Sequence, residues 1–365
     1  MRIISRKSIF IIAFVLFCSL AGQTTAVAQS WSNGYARRRT ITIDHTKVPN
    51  TDQTNFPALV SGTYSYLATT GNGGNVTSAS GYDITFTSDS AGTSTLNFEQ
   101  GGYNSSTGAV NYWVKVPTVS HTTDTVIYMF YGNSSVTTDQ SNKTAVWDSN
   151  YKGVWHLPNG TTLSGADSTA NGYTLTNQNS TGATTGQIGG AASFNGSNNY
   201  LSNSSLSISA GSPITISFWN YVTSANVQSA SSFTIGASDN PNRIQANVPW
   251  SDNTVYWDYG SWASGGRISN SYSSYLGSWA YTVLKYDSTS NTHSIYVNGS
   301  LVASNVNSNV PQATQTGIDI GAWPSGGVYE HGSIDEFRVS TVARSADWTE
   351  PPKDQKLPSL RAYLT

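Results

Sequence analysis

Residues 293–304 read HSIYVNGSLVAS, and the fold follows from how this stretch is read. Apolar and polar side chains alternate along both arms, and Asn298-Gly299 lies between them. A two-residue Asn-Gly connection is the strongest short-range mark of a tight β-hairpin, because both residues must take positive φ. Outward from it, residues 278–287 (SWAYTVLKYD) and 214–222 (ITISFWNYV) carry the same period of two. So do residues 110–116 and 125–131 in the first half, and in 82–87 (YDITFT) Ile84 and Phe86 face one way while Asp83 and Thr85 face the other. No helical period is sustained over a comparable length. Many short strands divided by polar turns predict an all-β protein of two consecutive antiparallel β-sandwich or jelly-roll domains.

The chain is 365 residues long, more than one core usually accommodates. Arg2, Arg6 and Lys7 precede a short apolar run and an Ala26-Val27-Ala28 site, so residues 1–28 read as a secretory signal peptide. Its removal takes away the single cysteine, Cys18, with three of the 18 basic residues and none of the 20 acidic ones. The remaining acidic, cysteine-free chain excludes a disulfide scaffold and argues against nucleic acid as a partner. With no membrane span expected after cleavage, a secreted or cell-surface location follows. A boundary near Asn150 divides residues 29–150 from 151–348, and 349–365, with Pro351-Pro352 and a basic end, reads as an irregular tail.

Several phrases carry a resemblance. From Trp31 to about Gly132, WSNGYARRRTITID, GYDITFTSD, YWVKVP and TDTVIYMFYGN resemble the DUF2341 domain, whose function is undetermined. From about Val154, VWHL, DSTANGY, GGAASFNGSNNYL, ITISFW, WAYTVLKYD, IYVNGS and GSIDEFRVSTVARSADW are similar, in order, to a laminin-G-like (concanavalin A-like lectin/glucanase) jelly roll. The resemblance implies a structural calcium, with Asp335 of the last strand and Asp167 of DSTANGY as ligands. Calcium needs six to eight oxygens, so backbone carbonyls and water would complete the shell. The alternative is that Asp335 hydrogen-bonds a turn and Asp167 starts an Asx-type loop.

Within 332–348, Asp335 stands beside Glu336, and Asp347 follows. Neighbours on a regular strand point to opposite faces, so Asp335 and Glu336 are not expected to form a glycosidase pair, which needs two carboxyls facing each other across roughly 5–9.5 Å. Glu336 is expected to pair with Arg338 or Arg344 at the surface. An E-x-D-x-E run of the glucanase kind is absent, and no catalytic residue is assigned. Neither a metal-binding His spacing nor a G-x-S-x-G elbow occurs among the five histidines and the serines. His156 is expected beside Trp155 at the domain junction.

Aromatic faces stack on sugar C–H surfaces while amides and charged groups fix hydroxyls. In 250–269 (WSDNTVYWDYGSWASGGRIS), Trp250 and Trp262 lie in loops, and Trp257, Asp258 and Arg267 lie on or beside a strand. In 321–332 (GAWPSGGVYEHG), Trp323 and Tyr329 flank a glycine-rich turn. These seven are the candidate ligand-binding residues, although Trp257 and Tyr259 share a strand face that suits the core better than a binding surface. The leading expectation is a secreted, non-enzymatic surface protein with a lectin-like module that binds a polysaccharide, a cell-surface glycan or a protein ligand. A polysaccharide hydrolase or lyase and a structural envelope spacer are the alternatives.

Overall fold

The computed structural model describes residues 31–48, 50–158, 162–345, 348 and the backbone of 362–364. The segment read as a signal peptide and Asp347 lie outside the described residues. All strand pairs named below are antiparallel, and no helix among the described residues is long and apolar enough to cross a membrane.

In the first sandwich, Arg37–Ile43, Thr125–Tyr131 and Ile84–Thr87 form one sheet, and Gln53–Thr63, Ala109–Val119 and Phe98–Asn104 form the other. Alternate residues from the two sheets meet in one core, with Ile41, Phe86 and Met129 against Val60, Tyr112 and Val114. Ala362–Leu364 pairs with the outer edge of Arg37–Ile43, a strand that the reading of 349–365 as an irregular tail did not include. A three-residue strand is too short to show a period.

Tyr151–Trp155 opens the second sandwich. It pairs with Ser333–Ser340, which also pairs with Ile214–Tyr221 and Gly190–Ser193 at the centre of an eight-stranded sheet. Thr292–Val297 and Ser300–Val306 form the expected hairpin at the edge of this sheet, with φ of 51° at Asn298 and 81° at Gly299. The facing sheet has seven strands, in the order Arg267–Ser271, Thr254–Tyr259, Ile244–Asn247, Phe233–Ile235, Gln315–Ile320, Tyr200–Ile208 and Thr176–Gln178. Phe218 and Phe337 from one sheet, Phe233 and Trp257 from the other, stack in the shared core.

Ser333–Ser340 departs from regular alternation. Trp219 pairs with Asp335 and Ser217 with Arg338, so Phe218 stands opposite two residues, and Glu336 has a φ of 53°. Such a bulge turns consecutive side chains to one side. Ile334, Phe337 and Val339 join the core, whereas Asp335, Glu336 and Arg338 lie on the other face. The expectation that Asp335 and Glu336 point to opposite faces is thereby overturned.

That other face packs on the first sandwich. Trp113, Trp147, Tyr151, Val154 and Ile188 form a buried cluster between the two, and the Arg338 guanidinium lies 4.3 Å from the centre of the Trp113 ring. Glu336 does pair with Arg338, at 2.6 Å, but in the buried joint rather than at the surface. Arg344 instead binds Asp148. His156 sits at this junction against Trp113, with ring centroids 5.6 Å apart and nearly parallel, while Trp155 turns into the core.

Candidate functional site

The outward face of the seven-stranded sheet is polar because the strand register places polar residues opposite one another. Arg267 pairs with Asp258, Asp258 with Gln245, Gln245 with Thr234, and Thr234 with Asp319. Directly opposed residues share a face. At one end of this row is a cavity of about 300 Å³, at the small end of the range for ligand sites.

Its aromatic walls come from separate parts of the chain. Trp250 belongs to the turn joining Ile244–Asn247 to Thr254–Tyr259, a turn closed by the bonds from Trp250 N to Thr254 O and from Asn253 N to Trp250 O. Trp262 begins a single turn of 3-10 helix before Arg267–Ser271 and is 50% exposed. Trp323 stands on the small hairpin of Ala322–Trp323 with Val328–Tyr329, and its ring lies where a Cβ on Gly326 would fall, so only glycine leaves it room. Tyr256 adds a ring from the strand itself, its hydroxyl donating to Asp252 at 2.7 Å.

Gln245 and Asn247 supply side-chain amides, and two arginines supply charge. Asp258 is fully buried beneath them. A buried carboxylate persists only when paired, and Arg267 binds it with both prongs, Nε to Oδ1 at 2.6 Å and Nη2 to Oδ2 at 2.7 Å. The Nη1 of Arg243 lies 3.5 Å from the same Oδ2. The guanidinium of Arg267 also lies over the rings of Tyr256 and Trp262, and that of Arg243 over Trp323. The face therefore offers flat apolar walls with hydrogen-bonding groups between them.

Of the residues singled out in the sequence, Trp250, Trp262, Trp323 and Arg267 line this cavity, and Asp258 holds Arg267 from below. Two others do not join them. Trp257 is fully buried in the core with Tyr259, because positions 255, 257 and 259 form the inward row of their strand. Tyr329 packs on Tyr200 instead, on the far arm of the hairpin. Arg243, Gln245 and Asn247 were not anticipated: Ile244–Asn247 alternates apolar and polar residues, but four residues are too few to mark a strand, and its polar face is covered rather than exposed.

The two aspartates named for a calcium site are both buried and tied to backbone N–H groups. The oxygens of Asp167 accept from Val154 N, Thr169 N, Thr169 Oγ1 and Tyr173 N, the pattern of an Asx-type loop. Asp335 Oδ2 accepts from Ile188 N at 2.8 Å. Burial and the neighbouring Glu336 push the Asp335 carboxyl well above the usual range, and its Oδ1 is buried without a hydrogen-bond partner among the described residues.

Residues 195–348 match the model of the concanavalin A-like lectin/glucanases superfamily, and residues 80–153 match that of a domain of unknown function, DUF2341. The two matches follow one another along the chain in the expected order, DUF2341 first and the concanavalin A-like superfamily second. No curated protein matches the chain. Among solved structures it is similar to domain 4 of AbnA, a GH43 extracellular arabinanase from Geobacillus stearothermophilus, in complex with arabinotriose. The identity is 18% and the TM-score 0.42, over 55% of this chain and 96% of that one. It is also similar to the botulinum neurotoxin serotype G binding domain (18% identity, TM-score 0.43, 55% of this chain and 50% of that one). The binding domain of Paraclostridial Mosquitocidal Protein 1 gives 14% identity and a TM-score of 0.43, over 55% of this chain and 51% of that one. The chain thus spans about half the length of the two toxin domains.

Proposed function

We propose that the concanavalin A-like domain binds carbohydrate on the outward face of its seven-stranded sheet, as a non-catalytic module of an exported surface protein. The observation that carries this reading is the convergence of Trp250, Tyr256, Trp262 and Trp323 on one cavity that also contains Gln245 and Asn247. Rings and amides are what a pyranose or furanose recognises: stacking holds the C–H face and the amides orient the hydroxyls. The superfamily match agrees with it.

The carboxylates favour binding over hydrolysis. Asp258 is tied to Arg267, and Asp252 takes the Tyr256 hydroxyl and the Thr254 N–H. A glycosidase needs one carboxyl free to give a proton and another free to attack or to activate water. The test is incubation of the full chain with soluble and insoluble polysaccharides, measuring both depletion of protein and released reducing ends. Depletion without product, weakened by Trp262→Ala, supports the reading. Released ends overturn its non-catalytic part, and no depletion on any polysaccharide overturns it altogether.

A further inference from the structure

Resting on that reading, we propose that the ligand is an acidic saccharide, whose carboxylate or sulfate is held between Arg243 and Arg267. The argument is one of donors against acceptors. Each guanidinium carries five N–H groups and no acceptor. Arg267 spends Nε and Nη2 on Asp258, and Arg243 spends Nε on Ser238 Oγ at 3.1 Å. Nη1 of Arg267 and Nη2 of Arg243 have no protein acceptor among the described residues, although both side chains line the cavity.

The charges are equally one-sided at its floor. One buried carboxylate, Asp258, lies between two guanidiniums, at 2.6 Å from one and 3.5 Å from the other. Asp252, at the rim, already accepts from Tyr256 and Thr254. Burial holds the pKa of Arg243 below the ordinary guanidinium range; Asp258 opposes this, and Arg267 adds to it by repulsion. A second anion entering from the cavity relieves that repulsion and takes up the open N–H groups in a fork geometry suited to planar or tetrahedral oxyanions. A neutral sugar can use the aromatic walls but leaves this charge unanswered.

The experiment compares retention of the full chain on matched polymers: polygalacturonate against its carboxyl-reduced form, and dextran sulfate against dextran. The expected result is at least about tenfold tighter binding to the acidic member of one pair, a charge-assisted contact being worth some 1.5–3 kcal/mol. Which pair responds tells carboxylate from sulfate. Arg243→Gln should abolish the preference with an unchanged melting temperature, since Arg267 still covers Asp258. Arg37→Gln, at an exposed position on the first sandwich, should leave it intact. Trp262→Ala should weaken both members of a pair.

Equal binding to neutral and acidic polymers that Trp262→Ala abolishes would overturn the acidic ligand and leave the carbohydrate site standing. Loss of the preference in Arg37→Gln as large as in Arg243→Gln would also overturn it, by showing diffuse attraction to a polyanion. No binding to any of the four polymers would count against both readings.

Discussion

His156 and Glu99 join the two domains through a buried ion pair, Nε2 to Oε2 at 3.1 Å, while the opposite ring nitrogen of His156 meets Glu336 at 2.7 Å. Trp147 Nε1 and Ser168 Oγ also donate to Glu99. Burial alone would lower the His156 pKa, but the two carboxylates outweigh it and raise it to about 10. Burial would likewise raise Glu99, yet His156, Ser168 and Trp147 bring it down to about 2. The imidazolium's contribution is therefore complete below its unfolded pKa of about 6.5 and lost as pH climbs through 10. That of Glu99 is complete above about 4.5 and lost as pH falls through 2.

The joint should consequently be firmest between about pH 4.5 and 6.5 and weaken toward both extremes. His156→Gln should lower stability by about 3–5 kcal/mol in that window, because it leaves buried carboxylates uncompensated. It should also flatten the alkaline loss. Melting curves of both proteins across the pH range measure this, and parallel profiles would show that the pair does not couple the domains.

Asp335 shows the opposite sign. Its carboxyl is held neutral by burial and Glu336, so the folded protein resists an ionisation that the unfolded chain undergoes freely. Stability is lost as pH rises above the ordinary aspartate value of about 3.8. Asp335→Asn should raise the melting temperature at neutral pH, keep the acceptor for Ile188 N, and lose its advantage in acid. Chelation by EDTA should change neither melting temperature, so the difference between wild type and variant should persist. A variant less stable than wild type only when calcium is present would restore Asp335 as a ligand.

Glu330 extends the same logic to the base of the Trp323 hairpin. It is 1% exposed, takes a hydrogen bond from Ser232 Oγ at 2.9 Å, and burial raises its pKa to about 7. Its neutral form is favoured, and stability falls as pH rises from about 4.5 through 7. Glu330→Gln should therefore be more stable than wild type above pH 7 and similar to it in acid, as followed by thermal melts.

Strand alternation made the architecture legible, because a strand such as Thr125–Tyr131 turns Ile127 and Met129 into the core while Val126 and Tyr128 face outward. It also made the loop tryptophans legible, since Trp250, Trp262 and Trp323 stand among turn formers where burial is not dictated. Two things were hidden. The bulge at Glu336 adds one residue to the alternation, and nothing in SIDEFRVS distinguishes that from a regular strand; it is the register against Trp219 and Ser217 that reveals it. Arg243 is distant in sequence from Arg267, and only the antiparallel pairing of three strands brings both to Asp258.

The tryptophans of the second domain give the sharpest contrast between packing and recognition. Trp257 is fully buried against Phe233 and Tyr259, so Trp257→Ala removes core volume and should cost about 3–5 kcal/mol of stability. Trp262 is half exposed and lines the cavity from a loop. Trp262→Ala should leave the melting temperature within about a degree or two, as surface substitutions usually cost less than about 0.5 kcal/mol. If Trp262 is a binding wall, the same change should weaken saccharide affinity by about fivefold or more, the loss of roughly 1 kcal/mol typical of a contributing aromatic contact. Affinity electrophoresis of the two variants beside wild type reads both effects. A Trp262→Ala protein that migrates like wild type on every retained polysaccharide would remove that wall from the site, whereas retarded wild type and free-running variant would fix the ligand on the outward face of the seven-stranded sheet.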